Sequence, residues 1–151
     1  MKKLALLLTF LLASSAYGFQ LDIVDQPDGT RVINYNPKEW IYSARDQRYK
    51  VFVDKDSVGA GKKTQIVEFH SMTLFDEFEE YTGFPYKIKR IYTYGAMSCS
   101  QSSLMILVDL YVDSDNVIRY TQAHPKGSLI IEMTDTKIRN EILGTVCGDR
   151  I

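Results

Sequence analysis

Histidine and cysteine are nearly missing: two of each occur in 151 residues. A zinc centre needs three or four ligands of the His, Cys or carboxylate type. His70 and His124 lie far apart and share no metal spacing with a cysteine or carboxylate, so no metal site is expected. An excess of one charge is missing too. The 19 acidic residues face 18 basic ones, which gives no electrostatic reason to expect nucleic acid or anionic lipid as a partner. Catalytic signatures are absent as well. Ser98, Ser100, Ser102 and Ser103 crowd around Cys99 without a nucleophile-elbow pattern. Asp113, Asp115 and Asn116 lack the twelve-residue spacing and closing glutamate of a calcium loop. Glu79 and Glu80 sit in a polar stretch with no cleft to shift their titration. The chain does not read as an enzyme. No internal repeat or low-complexity tract appears, and the length suits one domain.

What is present begins with a leader. Lys2 and Lys3 precede an apolar stretch over residues 4–13, and small residues then offer cleavage after Ala16 or Gly18. That is the pattern of a secretory signal peptide, too short for a membrane span. The expected organisation is a signal peptide over 1–18, an N-terminal polar segment over 19–37 and a folded domain over 38–151. Cleavage after Gly18 removes Lys2 and Lys3, leaving 16 basic residues against 19 acidic ones. No cysteine lies at the cleavage region to accept a lipid anchor, so a periplasmic or secreted product with no membrane span is expected. Export permits a disulfide, and two cysteines, Cys99 and Cys147, allow one connectivity.

The domain is organised around residues 86–112, read as two long strands, 86–97 and 102–112, joined at Cys99. Leu104, Ile106, Val108, Leu110 and Val112 recur with period two, while Asp109 and Tyr111 take the other phase, which predicts a half-buried antiparallel strand. Further strands are expected over 39–44, 49–53, 64–75 and 117–122, and residues 129–131 read as a short further strand or an apolar anchor. Residues 54–58 read as a helical turn, 76–83 as an acidic loop or one exposed helical turn, and 113–116 as a hairpin turn. Pro27-Asp28-Gly29 marks a turn in the N-terminal segment, which is either a short hairpin or an unfixed lead-in. A C-terminal helix starts near Thr134 or Asp135. Its stripe of Ile138, Ile142, Leu143 and Val146 faces a sheet, and Gly148 stops it. The fold class is therefore α+β: an antiparallel sheet of about six strands, with a C-terminal helix packed on it and tied by one disulfide.

These pieces resemble the bacterial surface-adhesin protein E family over residues 40–148. The resemblance is carried by Tyr49-Lys50-Val51-Phe52-Val53-Asp54 before Asp56-Ser57-Val58, by Gln65-Ile66-Val67-Glu68-Phe69 and by Tyr86-Lys87-Ile88 ahead of Cys99. It continues in Asp109-Leu110-Tyr111 and in Thr134-Asp135-Thr136 ahead of Cys147-Gly148. The resemblance implies an antiparallel sheet with a disulfide-held C-terminal helix, and often a homodimer. It also implies binding of host extracellular-matrix and serum glycoproteins, and of haemin, with adhesion attributed to the region that falls on residues 85–110 here. The lipidated cysteine that the resemblance would imply is missing from the cleavage region of this chain.

Tyr86, Lys87, Lys89, Arg90, Tyr92 and Tyr94 are accordingly the candidate partner-binding residues, since tyrosine and arginine dominate binding hot spots. Lys87 and Lys89 share a face and suit an acidic partner, or else they guard an edge strand against unwanted pairing. No cofactor is required by the residues. For haemin, the family-suggested ligand, His124 or an exposed tyrosine is the candidate donor, and an ordinary solvated loop histidine is the plainer reading of His124. The expected function is an exported, non-enzymatic protein-binding module. The alternatives are a small-ligand binder and an envelope accessory protein without a soluble ligand.

Overall fold

The computed structural model describes residues 21–34, 40–58, 66–80, 84–101, 103–124, 130–132 and 136–148. The signal peptide expected over 1–18, the helix start expected near Thr134 and the loop expected after His124 lie outside them. Nine strands and one helix appear among the described residues: β1 (Ile23–Asp25), β2 (Arg31–Ile33), β3 (Trp40–Arg45), β4 (Tyr49–Asp54), β5 (Ile66–Glu80), β6 (Lys87–Ser98), β7 (Ser103–Val112), β8 (Ile118–Ala123), β9 (Ile130–Glu132) and α1 (Thr136–Cys147). Strands β3 to β8 follow one another in an antiparallel sheet, and β9 pairs with β7 beside them. Neighbours in sequence are neighbours in space because short turns can join antiparallel strands.

Side-chain alternation gives this sheet two buried faces rather than one. On the first, Val51, Val53, Val67, Phe69 and Met97 receive Ile138, Ile142, Leu143 and Val146 of α1. Burying each of those four helix side chains contributes about 1.5–3 kcal/mol. Ser43 donates to the hydroxyl of Thr145 at 2.9 Å along the same contact. Cys147, in the last turn of α1, is bonded to Cys99, and Gly148 adopts φ 53° just past the helix, as a left-handed stop requires. On the second face, Met72, Tyr92, Leu110 and Val112 receive Ile33, with Leu21 and Ile23 around it.

The N-terminal segment thus resolves into a hairpin. Asp28 accepts hydrogen bonds from the Thr30 backbone and hydroxyl, at 2.9 and 2.7 Å, and Gly29 takes φ 84° between them. The hairpin is tied to the turn between β7 and β8: the Ile33 amide donates to the Asn116 carbonyl at 3.0 Å. Asn116 has φ 64°, and the Asp113 carboxylate accepts from the amides of Asp115 and Val117. This matches the turn read at 113–116.

Two expectations are corrected. The acidic stretch read as a loop or one exposed helical turn over 76–83 continues β5 as far as Glu80. It pairs with β6 after an irregularity between Leu74 and Glu79, so strand pairing overrides its polar composition. The stripe in β7 does not line one half-buried face. A bulge opposite Tyr94 and Gly95 inserts an extra residue and inverts the phase. Leu104 therefore packs toward the helix, while Val108, Leu110 and Val112 pack under the hairpin. Gly95 sits at this bulge because a Cβ there would come within 3.0 Å of the Met105 carbonyl oxygen.

Candidate functional site

Strand β6, which carries the expected contact residues, lies in the interior of the sheet, hydrogen-bonded to β5 on one side and β7 on the other. Its lysines therefore do not guard an edge, and that reading is corrected. Tyr92 is 1% exposed and packs under Ile33. Tyr94 is 7% exposed, donates to the Glu68 carboxylate at 2.7 Å and meets the His70 ring edge-on at 5.2 Å. Burial and the adjacent carboxylate push its phenol up to about 12. Both tyrosines belong to the interior, so they are withdrawn as contact residues. Arg90 is half-buried and donates to the Asn116 side chain at 2.6 Å, bracing the β7–β8 turn. Lys89 donates to the Asp76 carbonyl at 2.8 Å and lies 5.5 Å from the Phe78 ring. Tyr86 and Lys87 are the two of the six that are exposed, and Lys87 meets Glu80 at 3.4 Å.

Around Tyr86 the fold assembles residues that local pattern did not single out. Phe84 contacts Tyr86 at 5.7 Å, Tyr120 at 5.4 Å and Tyr111 at 6.3 Å, and Tyr111 contacts Tyr120 at 5.7 Å. The Arg119 guanidinium lies 4.9 Å from the centre of the Tyr86 ring and pairs with Asp113. Tyr86 and Tyr120 are 41% and 46% exposed. Tyr111 and Tyr120 are partners across β7 and β8, whereas Phe84 and Tyr86 arrive from the segment leading into β6. The surface combines ring area, hydroxyl donors and a stacked guanidinium, the composition of protein-contact hot spots. Tyr111 lies on the phase opposite Leu110, which was visible in the sequence. Its company was not, because 25 or more residues separate it from Phe84 and Tyr86.

A polar row crosses the same face of the sheet through Ser71, Thr93, Asp109 and Gln122. Asp109 is buried, which pushes its carboxyl up, while a 2.6 Å bond donated by Thr93 and the His124 imidazole 3.7 Å away oppose that rise. His124 is therefore not a solvated loop residue: its side chain is 14% exposed and its Nε2 faces Asp109. That setting leaves little access for a haem iron. Thr93 gives its hydroxyl proton to Asp109 rather than to the imidazole, so the trio does not form the hydroxyl–imidazole–carboxylate relay that activates a nucleophile. On the other face, His70 faces Asp54 at 4.0 Å, and burial holds its pKa below the usual imidazole value. No group of three or more His, Cys, Asp or Glu able to hold a metal ion occurs among the described residues. No helix among them is long and apolar enough to cross a membrane.

No family model matches this sequence, and neither does any curated protein sequence. Among solved structures, the chain is similar to protein E of Haemophilus influenzae. A first structure of that protein matches with a TM-score of 0.50, covering 77% of this chain and 88% of that one at 16% identity. Its crystal form II matches with a TM-score of 0.52, covering 77% of this chain and 91% of that one, again at 16% identity. At that identity the likeness establishes a shared fold: an antiparallel sheet, a C-terminal helix and, in this chain, the Cys99–Cys147 bridge.

Proposed function

We propose that this chain is an exported, non-enzymatic binding protein that contacts a protein partner through the ring cluster of Phe84, Tyr86, Tyr111 and Tyr120. The observation that carries this reading is the cluster itself: two well-exposed tyrosines seated on two further rings, with a guanidinium stacked on one of them. Exposed aromatic groups of this kind bury large area at low conformational cost when a partner docks. Lys87 extends the surface and steers an acidic partner rather than holding it. The fold shared with protein E and the leader over 1–18 support an envelope or extracellular setting, with matrix or serum glycoproteins of a host as the candidate partners. Haemin binding through His124 is disfavoured by the buried, carboxylate-facing ring.

The test immobilises mature protein beginning near residue 19 and offers it envelope extract and purified matrix and serum glycoproteins. Tyr86→Ala combined with Tyr120→Ala is expected to weaken capture of a retained partner at least tenfold, since hot-spot truncations cost on the order of 2 kcal/mol. Lys87→Glu is expected to slow association and reduce its salt sensitivity with little change in melting temperature. Capture that is indifferent to both tyrosines would overturn the reading.

A further inference from the structure

Three separated parts of the chain meet at Arg119. It falls where the β7–β8 pairing loses register: Tyr111 faces Tyr120 and Val112 faces Ile118, so Arg119 is the extra residue between them. An extra residue bends its strand and re-aims its side chain out of the regular alternation. Here the guanidinium pairs with Asp113 of the β7–β8 turn and lies 4.9 Å from the centre of the Tyr86 ring, ahead of β6. Its third neighbour is the N-terminal hairpin. The Asp28 carboxyl at the hairpin tip is held below its usual value, first by the bond from the Thr30 hydroxyl, and the Arg119 charge acts in the same direction. We propose that Arg119 is a positioning residue, which holds the Tyr86 ring in one pose and makes that pose depend on the docked N-terminal hairpin. That the pose matters to a partner rests on reading the ring cluster as the contact surface.

The path from hairpin to ring is a series of contacts that hold one another. Val32 of β2 bridges to Val117 at the entry to β8, and the Ile33 amide donates to the Asn116 carbonyl at 3.0 Å. The Asn116 side chain accepts from Arg90 at 2.6 Å. Asp113 Oδ1 accepts from the Asp115 and Val117 amides at 2.9 and 3.1 Å, while its Oδ2 accepts from Arg119 Nε. One carboxylate therefore fixes both the turn on which the hairpin leans and the guanidinium beside Tyr86. Contiguous contacts carry coupling when an element at one end has two arrangements. A hairpin of two three-residue strands is marginal alone, so it is ordered when docked through Ile33, Ile23 and Leu21 and loose when released. Tyr86 is 41% exposed, and a side chain so open loses rotamer freedom on binding unless it is already held. A planar guanidinium supplies that hold by stacking, which a lysine ammonium paired with Asp113 does not reproduce.

The test reads side-chain proton resonances of Arg119 and Tyr86 in mature protein and needs no partner. The Arg119 protons are expected to show a ring-current displacement that Tyr86→Leu removes. Arg119→Lys, which keeps a charge beside Asp113, is expected to shift the Tyr86 ring resonances and leave those of Tyr94 unchanged. Ile33→Ala loosens the hairpin at a distance from both side chains and is expected to shift the Tyr86 ring too. Asp28→Asn, an exposed change that spares the core, is expected to do the same to a smaller extent. Tyr86 resonances unmoved by Arg119→Lys, or unmoved by both hairpin variants, would overturn the proposal. For a partner captured through Tyr86 and Tyr120, Arg119→Lys is expected to weaken affinity about threefold, the usual scale of one exposed cation–π contact. Capture that needs both tyrosines but is indifferent to Arg119→Lys would overturn the positioning role and leave the reading above standing. If the resonances move as expected and no partner is captured, the reading above falls and the coupling of ring to hairpin stands.

Discussion

His70 shows how much of this molecule's chemistry is set by what surrounds a single side chain. Its ring is buried against Tyr94, and the loss of water outweighs the attraction of Asp54, so the folded protein holds the imidazole neutral below the usual 6.5. In the unfolded chain the same residue takes up its proton near 6.5. Stability from this group is therefore present above that value and lost as pH falls toward the lower folded pKa, because the unfolded state then binds more protons. Chemical denaturation at about pH 7.5 and about pH 5.5 should show a lower midpoint at the acidic end. His70→Gln should flatten the part of that slope that lies below 6.5. Neither His70 nor Asp109 stood out in the sequence for this property. Burial of a polar group depends on what covers it, and period-two patterning placed Asp109 on what was expected to be an open face.

At the scale of elements, two pieces distant in sequence close the two faces of the sheet. The Cys99–Cys147 bridge closes a loop of 48 residues, and replacing both cysteines with serine should cost roughly 4 kcal/mol on the chain-entropy account. A helix of twelve residues is marginal without tertiary support. Helical circular dichroism should therefore decay at lower urea than the sheet signal in that variant, whereas a single coincident transition would show that the bridge does not hold α1 in particular. The hairpin does the same work on the other face. Ile33 is 1% exposed over Met72, Tyr92 and Leu110, so Ile33→Ala should cost about 2–4 kcal/mol by leaving a cavity, measured as a shift in urea midpoint. Most strands and the C-terminal helix were legible because apolar period and turn residues act locally. The reach of β5 to Glu80 was not, because it depends on pairing with β6 and not on its own acidic residues.

Across the whole molecule, the stapled end and the ring cluster lie at opposite ends of the sheet. Leu104, beside the helix, and Tyr111 lie at opposite ends of β7, separated by roughly 20 Å of extended strand. Effects at sites so separated are expected to be nearly independent. The protein lacking both cysteines, studied at a temperature where it remains folded, should therefore bind a Tyr86- and Tyr120-dependent partner within about twofold of the parent affinity. A larger loss in surface-plasmon measurements would show that the staple reaches the ring cluster.

By itself the amino-acid sequence determined the α+β class, the strand succession, the helix stripe and the only possible disulfide, since each depends on local periodicity, turn chemistry or a count of two. Which side chains of β6 face water was decided only in the tertiary structure. Tyr86, Tyr92 and Tyr94 share one phase on one short stretch. Yet Tyr92 is covered by Ile33 from nearly sixty residues upstream, Tyr94 is bound to Glu68 on the neighbouring strand, and Tyr86 stays at the surface with Phe84, Tyr111 and Tyr120. Exposure is a property of neighbours, and those neighbours come from strands far away in the chain.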